Sequence, residues 1–262
     1  MSNHDTARAA AEWLTTPLGQ YLLAREQAYF DRTAADIFGY IALQLGLPQI
    51  DLLRANRIAC RLHADPSGPA ELRADFRDLP VASNSIDLVV LAHVLEFSEN
   101  PHQVLREVAR VLLPEGQMVI ACFNPWSLWG FRRVFGKKVD YPWNGRFINL
   151  PRLKDWLTLL ELEITGGQMC CYSPPCATEK WLQRFAFMEA AGDRWWPITG
   201  GIYFLQAVKR VRGMRLIMPR WSDRLAPKKD LAPVPKKVAR PDEAVVARNG
   251  VSDKTSQMVR PR

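Results

Sequence analysis

Four short stretches place chemically capable side chains at what read as strand ends. His93 and Glu96 follow the apolar run 86–91 (IDLVVL). Histidine titrates near neutral pH, which makes His93 a candidate general base or substrate contact, with Glu96 a second group of the same kind. Asp75, with Phe76 beside it, and Asp65 follow two earlier strand-like runs. Ligands of open α/β sheets sit at the carboxyl ends of strands, so acids there are in a sensible place to hold one. Gly46 ends the run 40–45, where a glycine lets the backbone take a positive φ or pass close to a ligand. The five cysteines (Cys60, Cys122, Cys170, Cys171, Cys176) are odd in number and form no CxxC pair. They read as reduced, structural thiols, and no metal site is expected.

The elements that must position these groups are clearest in residues 73–124. The run 86–91 is short, apolar and β-branched, the pattern of a strand covered on both faces. Asn100-Pro101 opens a helix, with asparagine at the N-cap and proline at N1. Val104, Leu105, Val108, Val111 and Leu112 then form one apolar stripe at helical spacing. Pro114-Glu115-Gly116 stops the helix, and residues 118–123 (MVIACF) form the next buried strand. Strand, crossover helix and strand make a βαβ unit, which implies a parallel sheet.

This stretch resembles the cofactor domain of class I S-adenosylmethionine-dependent methyltransferases of the type 11-like kind. The motifs that carry the resemblance are Asp75, Leu79-Pro80, Ile86-Asp87-Leu88-Val89 and Leu113-Pro114-Glu115-Gly116, in order and at the family's spacing over about fifty residues. The resemblance implies an α/β fold with a Rossmann-like, seven-stranded, mostly parallel sheet. Helices would cover both faces, and the sixth and seventh strands would form an antiparallel hairpin. It implies S-adenosylmethionine as cofactor. Gly46 would be the first glycine of the cofactor loop, Asp65 the acid on the ribose hydroxyls, and Asp75 and Phe76 the lining of the adenine pocket. His93 would face the methyl acceptor. The family's Gly-x-Gly-x-Gly pattern is reduced here to Gly46, followed by Leu47-Pro48-Gln49. The function implied is methyl transfer to an unidentified acceptor. The alternative is a non-catalytic binding protein of the same fold that has lost the glycine loop.

The remaining chain fits around this core. Residues 1–35 read as a helical segment of one or two helices interrupted near Thr16-Pro17, which either covers the site or packs on the sheet. Residues 36–215 would be the methyltransferase-like domain, with strands at 40–45, 57–63 and 70–74. The connection after Asp65 is too short for a crossover helix. An insert at 124–147 mixes aromatic with basic residues, suiting an acceptor-binding lid, a flat or acidic substrate, or a membrane surface. A helix from Asn149, a strand at 161–170 and a strand at 202–208 complete seven. Residues 216–262 read as a disordered, basic, Pro-rich tail. Net charge is +8, of which residues 221–262 carry +5, so the globular part is not strongly basic and whole-chain pI is poor evidence for nucleic-acid binding. The tail could make weak electrostatic contact with acidic partners. No apolar run is long enough to span a membrane and no signal peptide is evident, so a cytoplasmic location is expected.

Overall fold

The structure, a computed structural model, describes residues 3–67, 69–136, 140–176 and 178–210. Two units divide the chain at Gly213, and the second, residues 214–262, lies outside the described residues, as does the expected tail.

Two helices come first, α1 (Asn3–Leu14) and α2 (Pro17–Ala34). They break where the sequence predicts. The Thr16 hydroxyl accepts the Gly19 N–H at 3.1 Å and Pro17 takes the first helical position, where its missing N–H costs nothing. The strands β1 (Ile41–Leu45), β2 (Cys60–Asp65), β3 (Leu72–Arg73) and β4 (Ile86–Ala92) follow, with no described helix between them. Next come α3 (Pro101–Val111), β5 (Leu112–Phe123), α4 (Leu128–Phe135), α5 (Leu150–Leu159) and β6 (Leu162–Cys170). The helices α6 (Glu179–Arg184) and α7 (Phe187–Trp195) then lead to β7 (Ile202–Lys209).

The seven strands form one sheet in the order β3-β2-β1-β4-β5-β7-β6. β1 to β5 pair in parallel, and β7 runs antiparallel to both β5 and β6. The mostly parallel Rossmann-like sheet and the antiparallel β6–β7 pair are as expected.

Side chains alternate across the pleat, as a period of two requires. Leu88, Val90 and Ala92 of β4 face α1 and α2 in one core, together with Val119, Ala121 and Phe123 of β5. Val89 and Leu91, with Met118 and Ile120, face α3 and α5 in the other. Helices therefore cover both faces. The apolar stripe of α3 buries Val104, Leu105, Val108 and Val111 completely. Burial on this scale contributes about 1.5–3 kcal/mol per large aliphatic side chain.

One local expectation differs. Leu112 already belongs to β5, so Pro114-Glu115-Gly116 lies inside the strand instead of ending the helix. The strand absorbs it as an irregularity: Glu115 has φ +65° and the β4–β5 register shifts between Ile86 and Leu88. The helix end is satisfied from elsewhere, since Lys209 Nζ donates to the Ala109 and Leu112 carbonyls at 2.7 Å each. Among the described residues no helix is long and apolar enough to cross a membrane.

Candidate active site

A cavity of about 270 Å³ opens at the carboxyl ends of β1 to β4. Gly46, Asp65, Asp75, Phe76 and His93 all line it, so the structure brings the sequence-derived candidates together at one place. In a parallel sheet this end is where strands release the chain into loops, and those loops can converge on a ligand.

The loop after β1 is built around a residue that motif reading passed over. Gln44 is fully buried in β1. Its amide donates to the carbonyls of Ile50 at 2.7 Å and of Gly46 and Leu47 at 3.2 Å, and its Oε1 accepts the Leu52 N–H at 2.9 Å. A buried amide side chain thus holds the path of residues 46–52. Gly46 has φ +79°, and a Cβ there would come within 2.8 Å of Val94 Cγ2 and 3.0 Å of the Ala92 carbonyl. Leu47 also has a positive φ, +47°, where a side chain is strained. The sequence signal for Gln44 is a single polar residue in an apolar strand.

Asp65 closes β2 and is buried, with Oδ1 accepting the Ser67 N–H at 2.9 Å. Asp75 is gripped by Arg77: Nε lies 3.1 Å from each carboxylate oxygen and Nη2 lies 2.7 Å from Oδ2. Hydrogen bonding from that guanidinium holds the Asp75 carboxyl below the usual range. Arg77 was not singled out from the sequence, although an arginine two residues after an acid at a strand end is the only cue available.

His93 sits at the end of β4 with φ +53°, and its side chain is almost completely buried. Its Nε2 lies 2.5 Å from Glu26 Oε1 of α2, and its Nδ1 lies 3.1 Å from Glu96 Oε1. Glu96 Oε1 also accepts the Phe123 N–H at 2.7 Å, and the His93 ring stacks on Phe123 at 4.1 Å. Both ring nitrogens are therefore engaged. Burial disfavours a charged imidazole, but the two carboxylates outweigh it, and the pKa is raised from 6.5 to about 10. Glu26 Oε2 and Glu96 Oε2 are buried with no hydrogen-bond partner among the described residues. The signal for Glu26 was a carboxylate on the apolar stripe Leu22, Leu23, Tyr29 of its helix.

Two further walls come from outside the strand ends. Thr6, Ala7 and Ala10 of α1 line the cavity, and so does Tyr141 from the insert, which stacks on Phe97 at 4.9 Å. Burial, with Glu26 and Glu96 adding to it, pushes the Tyr141 hydroxyl well above its ordinary pKa.

These residues suit S-adenosylmethionine. A Cβ at Gly46 would clash beside the cavity, a buried acid closes β2, and the aromatic rings of Phe76, Phe97 and Tyr141 are available to a flat base. Among the described residues no cluster could hold a metal ion.

Comparison with known proteins gives the same picture. Residues 41–120 match the family model described as a methyltransferase domain. The uncharacterized protein YafS of Escherichia coli (strain K12) is 31% identical over 155 residues, covering 58% of this chain and 65% of that protein. The chain thus spans just under two thirds of that relative's length. A Haloferax volcanii structure, a complex between the Trm112 methyltransferase activator and a putative methyltransferase, superposes with a TM-score of 0.58. Its identity is 16%, and the match covers 80% of this chain and all of that one. An Archaeoglobus fulgidus SAM-dependent methyltransferase superposes with a TM-score of 0.51 at 17% identity, over 70% of this chain and 92% of that one. The matched domain and the fold agree: residues 41–120 carry a methyltransferase domain, within a sheet that has the Rossmann-like fold of S-adenosylmethionine-dependent methyltransferases.

Proposed function

We propose that the chain transfers the methyl group of S-adenosylmethionine to an acceptor held against the cavity at the carboxyl ends of β1 to β4. The observation that carries this reading is the convergence of Gly46, Asp65, Asp75, Phe76 and His93 on that one cavity. In this reading Asp65 holds the ribose hydroxyls. Gly46 lets the loop pass close to the methionine part. Asp75, kept ionised by Arg77, and Phe76 bound the adenine side. The bound cofactor supplies an activated methyl group on a sulfonium, so the chain's own task is to position the acceptor and exclude water. α1 and Tyr141 serve as the cover, which supports an acceptor-lid role for part of the insert.

For His93 we favour positioning over proton abstraction. A general base needs a free nitrogen within reach of the proton it takes. Here one nitrogen faces Glu26 and the other Glu96. His93 then acts by tying α2 and the 93–96 turn to the strand end.

A second reading is favoured by Pro48 standing where the next loop glycine would follow: a binding protein of this fold that does not transfer the methyl group. Equilibrium dialysis with methyl-labelled S-adenosylmethionine tests the first part of the proposal. Saturable retention, competed by S-adenosylhomocysteine, is expected, and no retention at millimolar concentration would overturn it. Label transferred to an acceptor from a cell extract would then exclude the second reading.

A further inference from the structure

The cofactor cavity leaves unused a surface on the same end of the molecule. Among the described residues, ten of the thirteen exposed large hydrophobic side chains fall in two short segments, 126–135 and 181–198. The first includes α4, which starts five residues after β5 ends, and the second includes α6, α7 and the turn into β7. That turn meets the start of the α4 segment directly, the Asn124 N–H donating to the Gly201 carbonyl at 2.9 Å. Trp126, Leu128 and Phe131 from one side and Met188 and Trp196 from the other line a common apolar groove of about 300 Å³. Phe131 and Phe135 stack at 6.0 Å on the outer side of α4, and Phe135 is 81% exposed. A patch of this kind marks an interaction site and not random exposure.

We propose that this aromatic face docks the protein on an anionic lipid surface. The charge around it decides for lipid. Residues 126–135 carry Arg132 and Arg133 and no acidic residue, and the sequence 124–147 as a whole carries five Lys/Arg against one Asp. Exposed tryptophan and phenylalanine on short helices, flanked by cationic side chains, match the headgroup boundary, where aromatic rings enter the interface and basic groups meet acidic phosphates. The face lies at the cofactor end of the sheet, so docking holds the cavity near the bilayer surface. The inference does not depend on methyl transfer.

Co-sedimentation of the full chain with phosphatidylcholine vesicles, with and without phosphatidylglycerol, tests it. Binding is expected only with the anionic lipid, accompanied by a blue shift of tryptophan emission. The exposed double substitution Phe131→Ser/Phe135→Ser should weaken partitioning by about tenfold, since each loses most of its apolar contact area. Trp195→Ser/Trp196→Ser should do the same from the other helix, with unchanged circular dichroism in both. Failure to bind anionic vesicles would overturn the proposal. So would binding that salt abolishes but neither double substitution alters, which would assign the contact to residues 221–262 alone.

Discussion

His93 Nε2 and Glu26 Oε1 lie 2.5 Å apart, both buried, and join the second helix of the chain to the carboxyl end of its fourth strand. The contact spans 67 residues of sequence and stands directly behind the candidate cofactor cavity. Breaking a buried pair by removing one partner costs about 3–5 kcal/mol, because the other is left uncompensated. His93→Ala should therefore lower the unfolding free energy by that amount in urea titration. A loss under about 1 kcal/mol would show that the cluster is not a structural clamp.

The same cluster sets a pH dependence. The folded pKa of His93 is raised to about 10 from an ordinary 6.5, so between those values the native state holds a proton that the unfolded chain does not. Stability from this group is present in full below about pH 6.5 and is lost as pH rises toward about 10, at roughly 1.4 kcal/mol per pH unit at most. The urea midpoint of the native protein should fall over that window. His93→Gln should flatten the fall. An equally steep fall in the variant would assign it to other groups.

Gln44 holds the loop that replaces the glycine-rich turn. Gln44→Leu keeps the approximate volume but leaves the Leu52 N–H and the Ile50 carbonyl without their partner. Each unsatisfied buried group costs about 1–3 kcal/mol. A loss of at least about 2 kcal/mol is expected, with hydrogen exchange accelerating in residues 46–52 specifically. Uniform acceleration across the sheet would contradict a local role.

Gly46→Ala meets two obstacles. At φ +79° an L side chain costs about 1–2 kcal/mol, and the new Cβ would press on the Ala92 carbonyl at 3.0 Å, which is backbone and cannot swing aside. Cofactor affinity and stability should fall together. Unchanged affinity in a destabilised variant would mean that the loop backbone does not approach the ligand.

The sequence made the middle of the fold readable because its signals are local. Residues 86–91 are an uninterrupted apolar run, and Asn100-Pro101 carries its own start signal; both elements appear within a residue of where they were expected. Pro114-Glu115-Gly116 misled because the chain already turns extended at Leu112, and Lys209, nearly a hundred residues away, takes up the Ala109 and Leu112 carbonyls. The candidate residues were found by their strand-end positions. Of the His93 partners only Glu96, three residues on, was visible there; Glu26 reaches His93 only through packing of α2 on the sheet. Gln44 was hidden for the related reason that one amide in an apolar strand looks like an exception until the loop around it is seen.

The most direct test of the central claim is isothermal titration calorimetry with S-adenosylmethionine and S-adenosylhomocysteine, on the native protein and on Asp65→Ala. Saturable binding of both ligands by the native protein is expected, weakened about tenfold or more in the variant, equivalent to about 1.4 kcal/mol. Absence of binding heat at millimolar ligand, or equal affinity in the variant, would contradict the assignment of this cavity to the cofactor.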